Sequence, residues 1–129
     1  MSPATPAHKI VIPDLVTYCT FKKRVNRHTK QVTTETKQWL FKGGNLTGKK
    51  RDSFRGLKAS LLTAMTCSGA AFPQFRVCND FLAYSFYPDN LSDDMDNQGT
   101  RTVADAVLNS LYHPHTYNSP ERVGKMTRE

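Results

Sequence analysis

The chain has 129 residues, 38% of them hydrophobic, and 18 Lys and Arg against 11 Asp and Glu give a net charge of +7. That is enough chain for one globular unit of ordinary size, or for a piece of a larger one. No apolar run approaches the roughly 20 residues that cross a bilayer, and the start MSPATPAHKI has no apolar core to act as a secretory signal, so a cytosolic protein with no membrane partner is expected.

Cys19, Cys67 and Cys78 are odd in number and lack C-x-x-C spacing, which points to reduced, buried thiols instead of a disulfide or zinc framework. The net charge is uneven. Through Lys58 there are 13 basic residues against 3 acids, or +10, and from Ala59 onward 5 against 8, or −3. A basic half of this kind can contact a polyanion. Its charges are scattered without interleaved aromatic residues, so the expected reading is a solvated face with no nucleic-acid partner. A small helical module that binds a polyanion is the alternative.

In chain order, the Pro/Ala/Ser-rich residues 1–9 predict a disordered tail, and residues 10–129 the ordered part. Val32, Trp39 and Leu40 fall at helical spacing, with Gly43 and Gly44 as a stop. The stretch Gly43 to Lys50 nearly spells a phosphate-binding loop. Lys50 replaces the hydroxyl that would ligate Mg²⁺, and a helix pattern precedes the loop where a strand belongs, so it reads as a basic turn between helices. Asn45-Leu46-Thr47 matches a glycosylation acceptor, which carries no consequence without a signal peptide. Asp52 and Ser53 offer N-cap oxygens to one amphipathic helix through Phe54, Leu57, Leu61, Leu62 and Met65.

After Pro73, the apolar segment from Phe75 to Tyr87 predicts a largely buried helix with Phe75, Cys78, Leu82, Ser85 and Asp89 along one side. Thr102 and Asp105 form a capping-box pattern that opens a helix ending at His113-Pro114. His113 and His115 read as loop histidines. Ser119-Pro120-Glu121 starts a last helix, whose Val123 and Met126 present an apolar face with nothing after it to pack against. No segment predicts a strand, and the expected class is all-α.

The informative stretch is YPDNLSDDMDNQG, with four aspartates in eight positions. As a calcium loop from Asp94 it has the turn glycine Gly99, but Asp105 is too short for the bidentate glutamate's role. As a plain helix end it is electrostatically poor, because carboxylates there face the negative pole of the helix dipole. A third reading offsets that cost. Asp89 and Asp93 are one turn apart, with Asn90 and Asp94 as a second such pair, and one or two carboxylates are how Mg²⁺ is commonly held beside phosphate oxygens. The aromatic residues upstream would place an apolar cavity beside that end, a combination suited to a prenyl diphosphate.

The blocks IPDLVTYCTFKKRVNRH, QFRVCNDFLAYSFYPDNLSDDMD, VLNSLYHP and RVGKMTRE resemble successive N-terminal blocks of fungal, basidiomycete-type class I sesquiterpene synthases, from Ile10 to Glu129. The most specific element is the acidic motif Asp89-Asn90-Leu91-Ser92-Asp93. The resemblance implies an all-α class I terpenoid-synthase bundle that ionises farnesyl diphosphate with three Mg²⁺ ions and cyclises the allylic cation in a dry aromatic pocket. It implies Asp89 as the principal Mg²⁺ ligand, Asn90 and Asp93 completing the motif, catalytic roles for Asp89 and Asp93, and Phe81, Leu82 and Phe86 as pocket or packing residues. Pro88 departs from the pattern and is expected to kink or end the helix. The family's second metal motif, its diphosphate-sensing arginine and its Arg-Tyr pair do not occur in these 129 residues, so the expectation is the N-terminal helices of the bundle, inactive alone.

Overall fold

The computed structural model describes residues 10–129, so the expected tail at 1–9 lies outside the described residues. The described residues form seven helices and no strand: α1 (Leu15–Tyr18), α2 (Thr29–Gly43), α3 (Gly48–Gly56), α4 (Ala59–Thr66), α5 (Phe72–Ser92), α6 (Asn97–Tyr112) and α7 (Arg122–Arg128). The all-α expectation holds.

The 21-residue α5 is the centre of the packing. Phe75, Asn79, Ala83 and Tyr87 recur every fourth position and are its buried residues, which makes one narrow stripe. The stripe meets α2, whose Val32, Thr36 and Leu40 follow the same spacing, and α4, while α6 and α7 pack together and close on the other end. Two apolar clusters result. Val32, Ala64 and Phe75 form one, and Leu40, Leu46, Ala83, Tyr87, Ala106, Val123 and Met126 form the other.

Polar side chains join the helices as specifically as apolar ones. The Asn79 amide donates to Thr36 Oγ1 at 2.7 Å, and Thr36 donates in turn to Asp80. Arg76 holds Asp80 through Nε at 2.8 Å and Glu35 through a terminal nitrogen at 2.6 Å. These contacts raise the Arg76 pKa above its ordinary value, the hydrogen bond to Asp80 most of all. Upstream, Asn26 clamps the segment before α2 to the end of α4. Its backbone N–H donates to Ala64 O at 2.9 Å, and its amide donates to the Cys67 and Ala70 carbonyls at 2.8 Å.

Several sequence expectations need correction. The helix expected from Phe54 to Met65 is two helices, broken at Lys58, which adopts a left-handed conformation at φ 52°. Asp52 and Ser53 lie inside α3 instead of capping it. α4 buries its small residues Ser60, Thr63 and Ala64, while Leu57, Leu61, Leu62 and Met65 stay exposed. α6 begins at Asn97, where Asp96 accepts the Gly99 N–H at 2.8 Å, so Thr102 is an interior residue bonded back to Gln98. That helix also removes the calcium-loop reading, since Asp105 lies well inside it.

Cys19 and Cys78 are exposed and Cys67 is half-buried, so the thiols are free but not buried. On α5 the stripe is rotated from the expected one, with Cys78 and Asp89 outside it. Val123 and Met126 are not left without partners, for both belong to the second cluster.

That last packing depends on Gly124. A Cβ there would stand 2.2 Å from Ser119 Oγ and 2.9 Å from Ser110 Oγ, inside contact distance of buried atoms. Gly124→Ala should therefore cost about 1–3 kcal/mol of stability through overpacking, measured as a lower urea midpoint. Gly56→Ala, where a Cβ meets nothing within 4 Å, should be neutral or stabilising by up to about 1 kcal/mol. Equal effects at the two positions would contradict this account of the α6–α7 contact.

Candidate functional site

The exposed side of α5 carries the candidate site. At about 100° per residue, Val77, Phe81, Ser85, Pro88 and Asp89 fall on the side away from the buried stripe. Val77 is 69% and Phe81 71% exposed. Together with Trp39 of α2, Tyr84 of α5, Leu111 of α6 and Met126 of α7, they line a groove of about 560 Å³.

A second, shallower cleft of about 420 Å³ between α5 and α6 contains Asp89. Ser85, Pro88 and Val107 line both. The acidic end thus adjoins an apolar trough along one helix face.

Local chemistry sets the posture of each acidic-motif residue. α5 runs through Pro88 to Ser92 and does not end at the proline. Pro88 has no N–H, so the Tyr84 carbonyl loses its partner one turn later. Asp89 and Asp93 are exposed one turn apart, with the Asp93 N–H donating to the Asp89 carbonyl at 3.2 Å. The structure brings those two together on one side.

Asn90 goes elsewhere. Its amide donates to the Phe86 carbonyl at 2.8 Å, and with Asp94 it lines a separate cleft beside Lys50 and Tyr87. Leu82 and Phe86 are half-buried and line neither the groove nor the Asp89 cleft. Phe81 alone of the three pocket candidates does.

Among the described residues, no group of three or more His, Cys, Asp or Glu side chains stands close enough to hold a metal. Two carboxylates one turn apart are nonetheless a donor set that suits Mg²⁺, which keeps several waters and takes phosphate oxygens as its remaining ligands. Electrostatics favours a cation there. Asp89, Asp93 and Asp94 cluster at the negative end of α5, Asp96 caps α6, and none of the four belongs to an ion pair among the described residues.

Tyr84 completes the groove. Its hydroxyl lies 2.5 Å from Thr127 Oγ1 and donates to the Val123 carbonyl at 3.4 Å. Burial pushes this phenol up, and the bond to Thr127 pulls the other way. Sequence reasoning missed Trp39, Val77 and Leu111 as wall residues. The Val77, Phe81, Ser85 spacing was the available signal, but it becomes a surface only when α6 and α7 stand beside it.

An Asp89–Asp93 pair exposed to water should bind Mg²⁺ alone weakly, on the order of millimolar. A titration followed through the amide resonances of residues 89–93 should saturate, and Asp89→Ala should abolish the response. An unchanged response in that variant would remove Asp89 from the site.

No family model matches the chain. Over 121 residues it is 66% identical to sesquiterpene synthase Agr1 of Cyclocybe aegerita, an alignment that covers 94% of this chain and 35% of that protein. Over 129 residues it is 53% identical to sesquiterpene synthase 1 of Postia placenta, covering 99% of this chain and 38% of that one. Alpha-muurolene synthase of Coprinopsis cinerea is 37% identical over 108 residues, 83% of this chain and 25% of the other. The chain spans about a third of the length of the first two relatives. The chain is thus similar to an N-terminal portion of fungal sesquiterpene synthases, whose fold is the all-α class I bundle.

Proposed function

We propose that residues 10–129 form part of a terpene synthase domain and supply one metal-binding wall of a site that ionises farnesyl diphosphate and cyclises it to a sesquiterpene with loss of diphosphate. The observation that carries this reading is the continuity between the Asp89 cleft and the apolar groove of α5. A prenyl diphosphate has the same two-part chemistry, an anionic head and an apolar tail.

In this reading Asp89 and Asp93 hold Mg²⁺ and position the diphosphate at the end of the groove, with Asn90 in a secondary role. Mg²⁺, when bound, supplies the positive charge that stabilises the departing diphosphate. Three such ions are the number proposed for a complete site.

Val77, Phe81 and Leu111 line the trough for the isoprenoid chain, as one side of an enclosure that keeps water from the reacting carbons. One wall leaves the substrate open to solvent. The chain alone should therefore be inactive, and the exposed Phe81 side of α5 is where the remaining helices of a bundle would pack. Among the described residues no helix is long and apolar enough to cross a membrane. Three free thiols suit the reducing cytosol, where we place the reaction.

A chimera tests the function without assuming that the chain works alone. This segment, substituted for the equivalent third of the Cyclocybe aegerita relative, should give Mg²⁺-dependent release of diphosphate from farnesyl diphosphate. Asp89→Ala in the chimera should lower turnover at least about 100-fold. A folded chimera that is inactive, or one indifferent to Asp89, would sink the proposal. Turnover of farnesyl diphosphate by the 129-residue chain alone would overturn the claim that it supplies only one wall.

A further inference from the structure

The basic front half of the chain is not used by the proposed reaction, and part of its charge converges on a cavity on the other side of α5. Ala83, on the buried stripe, contributes to a cavity of about 160 Å³ between α2, α3, α4 and α5. Its lining divides by chemistry. Leu40, Phe41, Phe54 and Ala83 are apolar, Lys37, Arg55 and Lys58 are cationic, and no carboxylate is among the described lining residues. Arg55 is partly committed, since it lies 3.2 Å from Asp52 and over the Phe41 ring. Lys37 and Lys58 have no ion-pair partner among the described residues.

Two observations point to a ligand. First, α4 starts at this cavity without a side-chain cap, and its first residues, Ala59 and Ser60, line it. Neither of their amides has an acceptor among the described hydrogen bonds. Open amides at a helix N-terminus favour an anion. Lys58 reaches that position in a left-handed conformation that glycine would adopt more easily.

Second, Ser60 is only 7% exposed, yet its hydroxyl makes no described hydrogen bond. The other buried hydroxyls, those of Thr36, Thr63, Tyr87, Ser110 and Ser119, all do. The hydroxyl of a buried residue normally bonds within the protein, and this one instead opens to a cavity with unpaired cations and open amides.

We infer that this cavity binds a phosphate group carrying a short apolar substituent. The phosphate oxygens take the Ala59 and Ser60 amides, the Ser60 hydroxyl and the Lys37 and Lys58 ammonium groups. The substituent lies against Leu40, Phe54 and Ala83. A cavity of about 150 Å³ accepts a benzene ring, so the substituent is at most about that size, with the phosphate at the cavity mouth beside the exposed Lys58 and the start of α4. Free phosphate shares the head chemistry but leaves the apolar lining unused. The site is independent of the Asp89 face and would stand if the proposed reaction failed.

The test uses the intact chain with inorganic phosphate and phenyl phosphate as probes, titrated at constant ionic strength by amide chemical shifts and calorimetry. Both should bind one-to-one, with the amides of Ala59 and Ser60 shifting, and phenyl phosphate should bind more tightly. Lys58→Gly should keep the backbone and the melting temperature while weakening phenyl phosphate about tenfold, and Ser60→Ala should weaken it by a similar factor. Lys49→Gln, which removes a charge outside the cavity, should change nothing.

Equal affinity for the two probes would overturn the assignment of the substituent to the apolar lining. The binding site itself would be overturned by equal weakening from Lys49→Gln and Lys58→Gly, or by non-saturating shifts spread over the basic half. Either result would instead mark a diffuse polyanion surface.

Discussion

The relay from Asn79 through Thr36 to Asp80, Arg76 and Glu35 fixes how α5 is rotated against α2, and the rest of the structure follows from that rotation. An apolar stripe alone tolerates sliding and turning, because dispersion and burial are non-directional. Hydrogen bonds at 2.5–2.9 Å among five side chains of two helices do not. With Asn79 and Asp80 held toward α2, Ala83 must face the inner cavity, and Phe81, Ser85 and Asp89 must face outward. The relay has a cost, since Asn79 Oδ1 is buried without a partner. An orphaned acceptor of this kind costs about 1–3 kcal/mol, which the charge-assisted bonds of Arg76 offset.

The outward face has a consistent electrostatic design. Acids collect where the α5 dipole is already negative, with no basic residue paired to them, and apolar side chains begin one turn upstream. Asp96 gains by capping α6, whereas the Asp89, Asp93 and Asp94 carboxylates make no described hydrogen bond, and it is on these that the proposal of a cation beside an apolar ligand rests. The inner cavity is its opposite in sign, with cations and open amides above an apolar lining. One helix therefore separates two pockets of opposite charge, one suited to a phosphate bridged by a cation and the other to a phosphate held directly.

Much of the fold was legible in the sequence because helical periodicity survives local reading. α2 and α5 were visible in their apolar spacing, the end of α6 in His113-Pro114, and Asp89 in the density of acids. The break at Lys58 was not, because the apolar rhythm continues across it through Leu57, Leu61 and Leu62. Periodicity shows that a helix has a face but not which face the tertiary structure uses. In α4 the small residues Ser60, Thr63 and Ala64 pack inward and the leucines point to water.

The same limit applies to the site. Asp89 and Asn90 are neighbours in sequence, yet the 100° turn between them sends one toward α6 and the other toward α3. The inner cavity was invisible in sequence because four helices build it.

The close contact at Gly124 has a further consequence for the order of folding. A helix of seven residues does not persist in water by itself, because nucleation costs more than so few backbone bonds return. α7 therefore gains its order by docking, and it docks only where Ser110, Ser119, Leu40 and Tyr87 already stand in place. Met126 belongs to the second apolar cluster and also lines the groove, so the apolar trough beside Asp89 is complete only with α7 docked.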